Sequence, residues 1–95
     1  MHETGIVRDL VRRVVDTAAQ TDAARVSEVR VWLGALSQFS PGHFREHFDE
    51  EVRGTLAEQA TLEIVASQDV DDPDAQHVIL QSVELDVPDA GSSAP

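Results

Sequence analysis

From Ile6 to Ala19 the apolar residues Ile6, Val7, Leu10, Val11, Val14, Val15, Ala18 and Ala19 return every three or four positions; from Val29 to Leu33 the apolar period drops to two. A period near 3.6 lays one stripe along a helix, and a period of two lays one face on a strand. A chain that changes period this early has to pack a helix against a sheet. Arg8, Asp9, Arg12, Arg13 and Asp16 occupy the polar side of the expected helix, residues 3–20. The i,i+4 pairs Asp9/Arg13 and Arg12/Asp16 add only about 0.2–0.5 kcal/mol each, so the helix depends on burying its stripe.

The alternating segment, residues 25–33, sets Val29, Val31 and Leu33 on one face and Glu28, Arg30 and Trp32 on the other, and Gly34 closes it. Ser40-Pro41 is a helix start: serine caps orphan amides, and proline suits the first helical position. The helix should run to about Arg53, with Phe44, Phe48 and Val52 on its buried side and Gly54 as its stop. A second strand is expected at 61–66, with Leu62, Ile64 and Ala66 inward, and a third at 77–87. In the third, the apolar phase shifts between Val78/Leu80 and Val83/Leu85, which predicts a bulge near Gln81-Ser82. Residues 67–76, with Asp69, Asp71, Asp72 and Asp74, read as a solvated turn or loop that contributes little to the core. Residues 88–95 read as a disordered tail. The fold class is therefore α+β in the order αβαββ: one domain, residues 1–87, with two helices on one face of a three-stranded sheet and the last two strands as antiparallel neighbours.

Composition narrows the function. None of the 95 residues is cysteine, which excludes disulfides, thiolate chemistry and zinc sites built on cysteine. Aromatics are 4%, so Val, Leu, Ile and Ala must fill most of the core around Trp32, Phe39, Phe44 and Phe48. The net charge is -11; all seven basic residues are Arg, and beyond Arg53 come nine acids and no base. Such a balance argues against nucleic acid and reads first as a solvated face, with an acidic surface for a basic partner or a cation as the sharper alternative. No apolar run reaches the ~18 residues of a membrane span, and the opening residues have no secretory pattern. A cytoplasmic protein is expected. No Ser-His-Asp context, phosphate loop or HExxH supports an enzyme.

His43 and His47, four apart on the second helix, could share a metal, with Glu50 and Glu51 nearby as oxygen donors; paired surface histidines flanking a phenylalanine stripe are the plainer reading. The acidic loop lacks the glycine-centred register and terminal glutamate of a calcium loop. Trp32 and Arg30 should lie on the open face of the sheet, either as side chains lying along it or as a partner-binding anchor.

Met1-His2-Glu3, the segment Arg25-Val26 through Leu33-Gly34-Ala35-Leu36-Ser37, Arg53-Gly54-Thr55-Leu56-Ala57-Glu58 and Ser82-Val83-Glu84-Leu85 occur in the order and spacing of one family. On these residues, spread over positions 1–86, the chain resembles the HypA/HybF hydrogenase nickel-incorporation family. The resemblance implies a nickel metallochaperone for [NiFe] hydrogenase that works with the hydrogenase large subunit and a nickel-insertion GTPase of the HypB type. It also implies nickel(II) binding by Met1, His2 and Glu3, through the terminal amine, amide nitrogens and the His2 imidazole, a set that suits square-planar nickel. The chain departs from the pattern in one place. The family inserts a zinc lobe built on two CxxC pairs where this sequence has only residues 67–76, so no zinc is expected. At the start of the second helix, where some members carry a carboxylate, this chain has Ser40. A metal-free interaction module, a degenerate relative acting as an adaptor, is the alternative function.

Overall fold

The computed structural model describes residues 3–88, with side chains from residue 5 onward. The elements are α1 (Glu3–Gln20), β1 (Arg25–Leu33), α2 (Pro41–Glu51), β2 (Thr61–Ala66) and β3 (Val78–Asp86), the αβαββ order expected. Apart from Pro88, the expected tail falls outside the described residues.

Burial explains the arrangement. Val7, Leu10, Val11, Val14 and Ala18 of α1 and Phe44 and Phe48 of α2, with Val52 at its C-cap, close over Val26, Val29, Val31 and Leu33 of β1. Both helices lie on one face of the sheet, and β3 adds half-buried Val78, Leu80, Val83 and Leu85 to the same core. Two bulges keep the inward residues in phase. Gln81 is the extra residue on β3, opposite Arg30/Val31, where the phase shift in the sequence predicted one. Ser27 is the extra residue on β1, between Val26 and Glu28, and it lets Val26 and Val29 both face inward despite their odd spacing. Its hydroxyl donates to the Glu84 carbonyl at 3.1 Å.

Two expectations need correction. The strand order is β2-β1-β3, so β2 and β3 are not neighbours. β1, the strand with the most deeply buried inward row, takes the centre; β2 pairs with it in parallel after the α2 crossover, and β3 pairs antiparallel on its other side. As an edge strand, β2 buries only Leu62. Ile64 is half-buried and Ala66 is exposed, although both were expected to face the core. Arg45 of α2 ties down this edge by donating to the Leu62 carbonyl at 3.1 Å.

The same topology changes the role of the acidic loop. Residues 67–77 must cross the end of β1, about 10 Å for two strand spacings, and they do so docked against it. Ser67 N–H donates to Leu33 O at 2.9 Å, Gly34 N–H to His77 O at 2.9 Å and Leu36 N–H to Ala75 O at 2.7 Å. Ala75 is buried, so this loop is part of the packing. A Cβ on Gly34 would lie 2.2 Å from Ala75 O, which makes glycine a requirement of that approach. We expect Gly34→Ala to cost about 1–3 kcal/mol by overpacking against backbone. Val70→Ser, at an exposed position of the same loop, should change stability by less than about 0.5 kcal/mol. Urea unfolding of the two variants beside the parent checks both.

Candidate metal centre

The topology places the start of α2 and the acidic crossover at one end of the sheet. α2 follows directly from the end of β1 through residues 34–40. Ile6, Asp9 and Leu10 of α1 share a cleft with Val78, which pairs with Leu33 at that same end. α1 and α2 run in the same direction, and Arg8 in the second turn of α1 pairs with Glu51, the last residue of α2, at 3.4 Å.

Of the residues implied as nickel ligands, Met1 and His2 lie outside the described residues. Glu3 is the first residue of α1, and its side chain is likewise not described. Ser40 is the N-cap of α2: its Oγ accepts from His43 N–H at 3.2 Å, and Pro41 follows in the first turn, as the sequence indicated.

His43 and His47 come together. Their Nε2 atoms are 3.2 Å apart and their ring centroids 4.7 Å apart. The pairing has a local cause: residues four apart lie one above the other on a helix, and the buried Phe44/Phe48 stripe of the same helix turns the two imidazoles outward. The Phe39 ring stands beside His43 at 6.3 Å and meets Phe44 edge-on at 5.4 Å. His43, Glu46, His47, Asp49, Glu50 and Arg53 line an open groove of about 430 Å³ along this side of α2. Glu51, suggested as a further donor, is instead turned to Arg8. Among the described residues no group of three or more His, Asp or Glu side chains is gathered for a metal. In the acidic loop, Asp69 and Asp72 use a carboxylate oxygen each to accept the amide two residues on, at 3.0 and 2.8 Å.

The open face of the sheet carries a different arrangement. Trp32, half-buried, has Val65 and Ile79 as its register partners on either side, so an apolar row crosses all three strands. One step along, Arg30 is engaged by Glu63; the anchor reading thus rests on Trp32 and its two apolar neighbours. Below that row Glu28 stands opposite Glu84. The side-chain hydrogen bond it shares with Glu84 holds its carboxyl above the usual range. Partial desolvation and the negative charges of Glu84 and Glu63 add to the effect, and Arg30 opposes it.

Comparison with known proteins gives these features a context. The family described as hydrogenase/urease nickel incorporation, metallochaperone, hypA, matches residues 1–70. A hydrogenase maturation factor HypA of Methylocella silvestris is 41% identical over 64 residues, covering 67% of this chain and 57% of the relative. That of Rhizobium leguminosarum bv. viciae is 38% identical over the same shares, and that of Thermococcus kodakarensis is 36% identical over 70 residues, covering 74% and 50%. The chain thus spans little more than half the length of the relatives it matches. The solution structure of the Ni metallochaperone HypA from Helicobacter pylori superposes with a TM-score of 0.76 at 20% identity, covering 93% of this chain and 100% of that one. A second HypA solution structure gives 0.71 at 20% identity, covering 90% and 96%. At this identity the two structures speak for the fold.

The Glu28/Glu84 pair yields a pH test. A carboxyl whose folded pKa is raised binds its proton more tightly when folded, so its contribution is present at acid pH and is lost as the pH rises through the folded pKa. Glu28→Gln should therefore raise the melting temperature at about pH 7, and the gain should shrink towards about pH 4, where carboxylates protonate. Thermal unfolding of both proteins at the two pH values measures it.

Proposed function

The chain belongs to the HypA family of nickel-incorporation metallochaperones, and on that premise we propose that it binds nickel(II) through Met1, His2 and Glu3 as an accessory protein of [NiFe] hydrogenase maturation. The observation that carries the reading is the extent of the family match. It begins at residue 1 and runs to residue 70, so the Met-His-Glu start lies inside the matched segment. Its chemistry is consistent: a terminal amine, deprotonated amide nitrogens and the His2 imidazole close fused chelate rings, and nickel(II) accepts such a nitrogen set. Glu3 contributes its amide nitrogen to the same set.

In this reading the ion is cargo, taken up and passed on inside a complex with the hydrogenase large subunit and a HypB-type GTPase, in the cytoplasm and without catalysis by this chain. Relatives named hydrogenase maturation factors support the setting. No helix among the described residues is long and apolar enough to cross a membrane. Because the sequence has no cysteine, the chain holds no structural zinc of the two-CxxC kind. The second reading, a metal-free adaptor, is favoured by one specific feature: the Val65–Trp32–Ile79 row on the open face, with Val65 42% and Ile79 37% exposed.

His2→Ala, or residues added before Met1, should weaken nickel binding at least tenfold, about 1.4 kcal/mol or more, while helix content is unchanged. Ser40→Asp retains a helix cap and places a carboxylate at the start of α2, so nickel affinity should rise. Calorimetric titration beside far-UV circular dichroism reads both. Unchanged affinity in the extended protein would rule out the terminal-amine site.

A further inference from the structure

We propose that His43 and His47 form a second, separate site: a two-imidazole chelate for a borderline first-row divalent cation on the outer face of α2. The two rings stand at chelating distance. For metal–nitrogen bonds of about 2.0–2.1 Å, two donors 3.2 Å apart open an angle of about 100° at the ion. That lies between the right angle of octahedral or square-planar coordination and the wider tetrahedral angle. Helix spacing holds the Nε2 atoms near each other, and rotating the imidazoles about their side-chain bonds aims both lone pairs at one ion without a change of backbone. In the metal-free protein one imidazole donates its Nε2 hydrogen to the other. Binding requires both Nε2 lone pairs, so that hydrogen moves to Nδ1 of its own ring, a tautomer change without net proton release.

The surroundings favour a cation. Glu46, Asp49 and Glu50 line the same groove against one guanidinium, Arg53. No third histidine or carboxylate among the described residues completes a ligand set, so water fills the remaining positions. Imidazole is a ligand for nickel, copper and zinc alike, so the site distinguishes poorly among them. With two protein donors it holds an ion weakly and exchanges it quickly.

The test uses the full chain extended before Met1, which blocks the terminal amine, titrated with nickel(II) and separately with zinc(II). We expect one ion per chain, loss of at least tenfold in affinity for His43→Gln and for His47→Gln, and no specific binding in the double variant. Metal should raise the melting temperature of the extended chain and leave that of the double variant unmoved, because the chelate staples one turn of α2; this also guards against a variant that binds poorly through misfolding. Equal binding by the double variant, or no binding by the extended chain, would overturn the second site. Neither outcome touches the terminal one, which fails only if extension before Met1 leaves affinity unchanged.

Discussion

Burial of one face of β1 is the interaction on which the rest of the structure depends. Val26, Val29, Val31 and Leu33 are at most 1% exposed, and a fully buried Val or Leu is worth about 1.5–3 kcal/mol. With so few aromatics and no disulfide, no other strand offers a comparable row. α1 and α2 must both lie across it, and β2 and β3 must flank it. Once β1 is central, the connections are constrained: α2 has to return the chain so that β2 can run parallel, and the next segment has to cross the end of β1 to reach the other side. The meeting of the start of α2 with the acidic crossover at one end follows from packing, before any question of function arises.

Much of this could be read from the residues, because the relevant signals are local. The α1 stripe gives its length, the Ser40-Pro41 pair gives the start of α2, and the shift from Val78/Leu80 to Val83/Leu85 gives the bulge at Gln81. What could not be read is relational. Period-two patterning says which face of a strand is inward and nothing about which strand lies beside it, so β2 and β3 were paired although β1 stands between them. The Ser27 bulge could have been found, since Val26 and Val29 are both apolar at odd spacing, but valine at a strand start also suits an edge. The docking of the acidic loop was hidden for another reason. Asp and Pro mark a solvated segment on average, and the one buried residue among them is a small alanine, Ala75. The glycine facing it, Gly34, looked like a simple strand terminator. As for the site, the His43/His47 spacing was visible, but its closeness depends on rotamers that sequence does not carry.

The end that collects these groups is electrostatically divided. The N-terminus of α2 presents roughly half a positive charge, which opposes a cation on its axis. Asp69, Asp71, Asp72 and Asp74 on the crossover oppose that effect, and Glu46, Asp49 and Glu50 extend the negative potential down α2. A cation is thereby favoured at the flank of α2 more than on the helix axes, which is where the imidazole pair stands.

The kinds of donor available then limit what this fold can do with a metal. Thiolates would hold zinc tightly and become part of the folded core, but the chain has none. The acidic crossover is tied to the segment after β1 by backbone bonds to Gly34 and Leu36 and by the burial of Ala75. It helps to hold the sheet together without a metal. The imidazoles of His43 and His47 lie outside that core, so loading and unloading an ion there need not disturb the packing around β1. A protein stabilised independently of its metal can release the metal without unfolding.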